Sequence, residues 1–225
     1  MNSNYEHIFE AVSRILETIP ENVTLQAAAK TRTLEEVEAV IQAGVTQIGY
    51  NYIQEAIPII EAIGARARWH MIGHLQSNKA KLAVQHFNLI ETVDSWRIAQ
   101  ILERHCASEG KVMPVLIEIN SGRESSKTGV LPGAVDELVE RMSELEHIQV
   151  KGLMTMGPRF GNPEDSRPYY QATRKAFERL SANNLPNVSM QYLSMGMSNS
   201  YPIAIEEGAN IIRIGTQLFG ERPEK

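Results

Sequence analysis

The chain has 225 residues, 43% of them hydrophobic and 22% charged, enough for one sizeable core and short for two. A net charge of −5 gives no overall basic footprint and excludes nucleic acid as the main partner. One cysteine, Cys106, rules out an internal disulfide and fits a reducing compartment, and no apolar run approaches the ~20 residues of a membrane span.

The first residues, Met1 to Glu6, lack the basic start and apolar stretch of a signal peptide, so a cytoplasmic protein is expected. Apolar residues at Tyr5, Ile8, Phe9, Val12, Ile15, Leu16 and Ile19 step by three and four, which predicts an amphipathic opening helix ended by Pro20. Short apolar runs then alternate with helical patterns. The first strand is expected over 25–29, and Thr33-Leu34-Glu35-Glu36 reads as a capping box for a helix that closes at Gly44. A second strand over 47–50 leads to Asn51, which can cap a helix ending at Gly64.

Strands over 68–72, 88–93 and 112–120 follow, with helices from about Asn78, from a cap at Asp94 or Ser95, and over 133–145. A sixth strand over 149–154 precedes a stretch rich in Pro, Gly and charge, 157–165, expected to be a mobile loop at the site face, and then a helix over 168–182. A weakly marked seventh strand over 189–193, a helix over 201–207 and an eighth strand over 210–214 complete the pattern. Eight strand–helix alternations in one core-sized chain predict a single (β/α)8 barrel with an extra N-terminal helix, one domain over 1–225.

Such barrels carry their chemistry at the carboxyl ends of the strands. Lys30 stands at the end of the first strand, after three alanines, Ala27, Ala28 and Ala29, that leave room for something flat beside the amine. Its plainer reading is a solvated lysine. Gly215 and Thr216 follow the last strand, where barrels bind phosphate with loop amides, and Ser194-Met195-Gly196-Met197-Ser198 follows the seventh. Each loop alone reads equally as a turn. Together, an amine and an anion cradle point to a phosphorylated aldehyde held as a Schiff base, hence to pyridoxal phosphate.

Arg213 lies between isoleucines in the last strand, where an unpaired guanidinium is costly. It is expected either in a buried ion pair or facing the pyridine nitrogen of the cofactor, where it would weaken the ring as an electron sink. Asn51 is expected to cap its helix and to touch the ligand as well. His70 and His74 are four apart, but a glycine intervenes and no third ligand is close in sequence, so no metal is expected. The polar segment 120–129 can fold over the pocket. Cys106, in a helical pattern, reads as a buried structural thiol.

Three segments carry a resemblance: Trp69-His70-Met71-Ile72-Gly73-His74-Leu75-Gln76-Ser77-Asn78-Lys79, Leu193-Ser194-Met195-Gly196-Met197-Ser198, and Ile212-Arg213-Ile214-Gly215-Thr216 ahead of Phe219-Gly220. In order, and from about Leu25 to Gly220, the chain resembles the YggS/PROSC family, the pyridoxal phosphate homeostasis proteins. The resemblance implies a barrel like the alanine racemase N-terminal domain, of fold type III among pyridoxal phosphate proteins. It implies pyridoxal phosphate on Lys30, Asn51 beside the ring, Arg213 at its nitrogen, Ser194, Gly215 and Thr216 on the phosphate, and Lys127 near the entrance. It further implies a role in buffering and delivering the cofactor, with apoenzymes that require it as partners and no established turnover.

Three positions depart from the family pattern: Ala29 for a serine, Tyr50 for a glutamate and Ser200 for an acidic residue. The alternatives are a small racemase-like enzyme and a barrel that holds another phosphorylated metabolite non-covalently. A racemase needs an acid on the face opposite Lys30, which related racemases take from a second domain and a partner subunit; here only Tyr50 or His74 could substitute. A monomeric carrier is the expectation.

Overall fold

Parallel strands need long crossovers, and the helical segments between the apolar runs supply them. The computed structural model describes residues 5–124, 128–158 and 161–221. Strands β1 (Thr24–Ala28), β2 (Gln47–Tyr50), β3 (Arg68–Met71), β4 (Leu89–Val93), β5 (Met113–Ile119), β6 (Ile148–Thr155), β7 (Val188–Ser194) and β8 (Ile211–Ile214) pair in sequence order, and β1 pairs with β8 to close the barrel. Helix α1 (Glu6–Thr18) precedes β1, and α2 (Leu34–Gln42), α3 (Ile53–Ile63), α4 (Ala80–His86), α5 (Trp96–Glu109), α6 (Val135–Met142), α7 (Arg167–Ser181) and α8 (Tyr201–Glu206) fill the crossovers. A one-turn α9 (Thr216–Phe219) follows β8, which the sequence pattern did not announce.

The capping box at Thr33 forms as expected: its hydroxyl accepts from Glu36 N while the Glu36 carboxylate accepts from Thr33 N. Two expected caps do not form. Tyr52, not Asn51, sits at the N-cap of α3 without a capping bond, and Ser95 at the N-cap of α5 turns its hydroxyl to Asp94 instead. α1 buries Ile8, Val12 and Ile15 and packs against α2 and α9. Cys106 is buried in α5, and burial pushes its thiol up to about 11, as a structural cysteine requires.

Two apolar regions result. The larger lies between sheet and helices, where Ile48, Tyr50, Trp69, Ile90, Ile117, Ile212 and Ile214 meet the helix faces. The smaller lies inside the barrel, where Leu89, Leu116 and Met154 cluster with Tyr192 against them. The rest of the interior is polar. Gln26, paired in register with Arg213 and Gln47, points inward with them, and Glu91 gathers the centre of the network. Its carboxylate accepts from Gln26 Nε2 at 2.7 Å and from Ser194 Oγ at 2.6 Å, lies 2.7 Å from His70 Nδ1, and stands 4.0 Å from Arg213 Nη1.

Full burial alone would raise the Glu91 carboxyl, but the His70 hydrogen bond and charge, Arg213 and the Ser194 hydroxyl outweigh it and hold it below the ordinary 4.5. A folded value below the unfolded one means that Glu91 contributes stability above pH 4.5 and loses it as pH falls through the folded value. Glu91→Ala strands Arg213 in the interior and should cost about 3–5 kcal/mol in urea unfolding at pH 7. The wild-type advantage over Glu91→Gln should persist at neutral pH and shrink only below the ordinary carboxylate range; an advantage that disappears between pH 7 and 5 would contradict this. Gly152 sits where the β5–β6 register shifts, at φ +151, and a Cβ there would stand 1.9 Å from Tyr192 O. Gly152→Ala must displace backbone, and a loss above about 2 kcal/mol is expected in the same measurement.

Candidate functional site

Ala28 and Gly49 pair in register, and Lys30 and Asn51, each two residues further on, continue to the barrel rim. Half-buried Lys30 places Nζ 3.4 Å from the Tyr52 hydroxyl and 4.8 Å from the centre of its ring. Among the described residues no carboxylate pairs with this amine. The next residue, Thr31, takes φ +65, a left-handed conformation that costs a β-branched residue about 1–3 kcal/mol.

Neighbouring elements impose that turn. Thr31 N donates to Glu55 Oε2 of α3 at 3.2 Å, and Arg32 N donates to Ala29 O at 3.1 Å. The Arg32 guanidinium reaches across to Gly220 O at 2.6 Å and to Phe219 O at 3.3 Å, beyond β8. Lys30 is therefore presented by a strained turn clamped on both sides.

Arg213 is 5% exposed. It donates from Nη1 to Ser194 Oγ at 2.5 Å and from Nη2 to Thr155 O at 2.8 Å. Burial pushes the guanidinium below its ordinary value, opposed by the charges of Glu91, Tyr170 and Glu118. A guanidinium is basic enough to stay cationic beside the Glu91 carboxylate. The ion pair expected for this arginine is present, and the network fixes the guanidinium in one position.

Gly215 follows on β8, and a Cβ on it would meet Ala28 O at 3.3 Å and Ala28 Cβ at 3.6 Å. The small pair Ala28 and Gly215 keeps the floor between β1 and β8 low. Thr216 is exposed at the start of α9. Gln217 donates to Ser198 O at 2.8 Å and ties the loop after β8 to the loop after β7.

The structure therefore brings the expected residues onto four contiguous staves: Ser194 on β7, Arg213 with Gly215 and Thr216 at β8, Lys30 after β1 and Asn51 after β2. The surroundings of Ser194, Tyr50 and His74 bear on the expectations for the site. Ser194 is fully buried, with its hydroxyl between Glu91 and Arg213. Tyr50 points away from the pocket: it is 1% exposed, packs its ring 6.4 Å from Trp69 between sheet and helices, and burial raises its hydroxyl above the ordinary value. It cannot donate a proton to a ligand in the barrel mouth. His74 stands at the rim, exposed, 3.6 Å from Asp94. Lys127, Arg159 and Phe160, with parts of the two loops assigned to the site face, lie outside the described residues.

Sequence reasoning passed over Glu91, Gln26 and Glu118. Each is a polar residue at alternate spacing in a strand of apolar neighbours, the same signal that exposed Arg213. Glu118 is 4% exposed; Thr128 Oγ1 donates to Oε1 at 3.1 Å, and Oε2 has no partner among the described residues. Burial pushes its carboxyl up, and Asp94 adds to this against Thr128, Arg213 and His74. No group of three or more His, Cys, Asp or Glu among the described residues is placed to hold a metal ion. No helix among them is long and apolar enough to cross a membrane.

An unpaired amine, a fixed cation and a low floor with glycine at its edge are suited to an anionic, electrophilic, flat ligand. The family model for the alanine racemase N-terminal domain matches residues 4–223. The pyridoxal phosphate homeostasis protein of Aquifex aeolicus is 40% identical over 224 residues, covering 95% of this chain and 97% of that one. PipY of Synechococcus elongatus, solved with PLP bound, is 32% identical with a TM-score of 0.86 over 95% of this chain and 100% of its own. An alanine racemase of Clostridium difficile shares the fold alone, at 15% identity and a TM-score of 0.79, and this chain spans 57% of it. With a family model matched almost end to end and relatives this similar along their whole length, the chain belongs to the alanine racemase N-terminal domain family and, within it, to the pyridoxal phosphate homeostasis proteins.

Proposed function

We propose that this protein is a monomeric, single-domain, cytoplasmic carrier that captures pyridoxal 5′-phosphate covalently on Lys30, buffers it, and delivers it to apoenzymes that require it. The observation that carries this is Lys30 itself, an amine without a carboxylate partner, held by a clamped turn at the mouth of a barrel of this family. When bound, the cofactor supplies an aldehyde that combines reversibly with amines, on an electron-withdrawing pyridine ring.

The chain's own residues divide the work. Lys30 is the nucleophile. Asn51 lies beside the ring and the amides of Gly215 and Thr216 take the phosphate, the small floor of Ala28 and Gly215 allowing close approach. Arg213 faces the ring nitrogen as a fixed cation and keeps a proton off it, so the ring remains a weak electron sink. Ser194 serves through Arg213, whose Nη1 it receives.

One observation favours the racemase-like alternative. Glu118, a buried carboxyl biased toward its protonated form with one oxygen unpartnered, is the type of group an opposite-face acid requires. Against it, Arg213 opposes the carbanion stabilisation that racemisation needs, and Tyr50 is turned away.

Equilibrium dialysis against pyridoxal phosphate, with the wild type and Lys30→Ala, tests the carrier function. One equivalent should be retained by the wild type, and Lys30→Ala should lose affinity by about 100-fold or more while keeping weak phosphate-dependent binding. Equal retention by both proteins would assign the barrel to a non-covalent phosphorylated ligand. A panel of amino acids incubated with the loaded protein should show no sustained racemisation by chiral chromatography. Turnover abolished by Lys30→Ala and by Glu118→Gln would establish the enzyme instead.

A further inference from the structure

One side chain, Arg32, joins the turn that presents Lys30 to the segment proposed to take the phosphate. The side chain is 5% exposed, and its guanidinium meets three acceptors: Glu36 Oε1 at 3.1 Å, Phe219 O at 3.3 Å and Gly220 O at 2.6 Å. It also lies 5.1 Å from the centre of the Phe219 ring. Glu36 accepts from Thr33 N with its other oxygen, so the head of α2 holds Arg32 from one side and the carbonyls beyond β8 hold it from the other.

Those carbonyls close α9. Gly215 is its N-cap and Thr216 its first residue; Phe219 N donates to Gly215 O at 3.0 Å and Gly220 N to Thr216 O at 2.9 Å. The residues assigned to the phosphate and the residues that hold Arg32 are therefore the two ends of one four-residue helix. A single helical turn fixes many dihedrals for few hydrogen bonds and is marginal on its own backbone. Its order depends on buried Leu218 and Phe219 and on what meets its ends. On the Lys30 side, Arg32 N donates to Ala29 O at 3.1 Å, and Thr31 between them keeps φ +65. An Arg32 that lost its carbonyls would leave that costly conformation with less to hold it.

We propose that Arg32 is a positioning residue that couples phosphate binding to capture by Lys30. An anion on Gly215 and Thr216 orders α9, α9 fixes Arg32, and Arg32 fixes the turn that presents the amine. The inference rests on the carrier function and deepens it: the phosphate counts twice, for its own contacts and for the readiness of the amine. Such coupling is reciprocal, so a loaded Lys30 strengthens the hold on the anion by the same factor. Capture itself joins Nζ to the aldehyde carbon with loss of water and needs no oxidant or reductant. Arg32 takes no part in that bond.

The test divides the ligand into two pieces. Pyridoxal brings the aldehyde without the phosphate, and inorganic phosphite brings three terminal oxygens and leaves room for the bridging one. At fixed ionic strength and at equilibrium, saturating phosphite should lower the pyridoxal concentration that half-loads wild-type Lys30 about fivefold or more, read by borohydride reduction and peptide mass mapping. Arg32→Met should cut that gain to less than about twofold, and Arg32→Lys, which keeps a donor and a charge, should recover part of it. A gain taken as a ratio within each protein cancels any uniform loss of affinity. The wild type alone gives a second readout: phosphite should slow hydrogen exchange at the Arg32 and Gly220 amides about fivefold or more. No gain from phosphite while pyridoxal phosphate still loads Lys30, a gain undiminished in Arg32→Met, or unchanged exchange at both amides overturns the proposal and leaves the carrier function standing. A Lys30 that pyridoxal phosphate itself never labels removes both.

Discussion

Arg213 and Glu91 place opposite charges 4.0 Å apart inside a closed barrel, and the site is built outward from that pair. Either charge left alone would be costly in a barrel interior closed to solvent, beside the apolar cluster of Leu89, Leu116 and Met154. The pair is satisfied by neighbours from four further strands: Gln26 on β1, His70 on β3, Thr155 on β6 and Ser194 on β7. A guanidinium tied to so many staves cannot drift. It is a fixed positive charge just beneath the rim where β1 and β8 meet.

In the proposed function this fixed cation is the source of restraint on a fold shared with racemases. A ring that cannot gain a proton on its nitrogen gives little help to carbanion chemistry, yet its aldehyde still combines with amines. The strained turn at Thr31 complements this, because Glu55 and Arg32 spend their hydrogen bonds on holding Lys30 in place. Capture on Lys30, as proposed, needs a positioned amine.

The barrel was legible because its code is local. Apolar runs bounded by glycine and caps repeat eight times, and even the capping box at Thr33 forms as spelled. The placing of Lys30, Gly215 and Thr216 at strand ends was legible from the same alternation, and the burial of Arg213 from a charge among isoleucines. What escaped depends on which way a side chain faces and on what lies across the barrel. Tyr50 precedes Asn51 in sequence, but one residue of offset turns it to the outer core against Trp69. Glu91 and Ser194 are 103 positions apart, and no local pattern says that they share a hydrogen bond. Asn51 had the right type for a cap, but the helix starts one residue later, after Tyr52. α9 is a single turn, too short to carry a period.

Everything functional turns on whether Lys30 is the residue that takes hold of the aldehyde. The most direct measurement is the absorption spectrum of the purified protein with pyridoxal phosphate, before and after borohydride, followed by peptide mass mapping. A visible protein-bound band that borohydride abolishes, with the phosphopyridoxyl mass fixed on the peptide containing Lys30 and on no other, is the predicted result. A protein that stays colourless, or a label found on some other lysine, would contradict it.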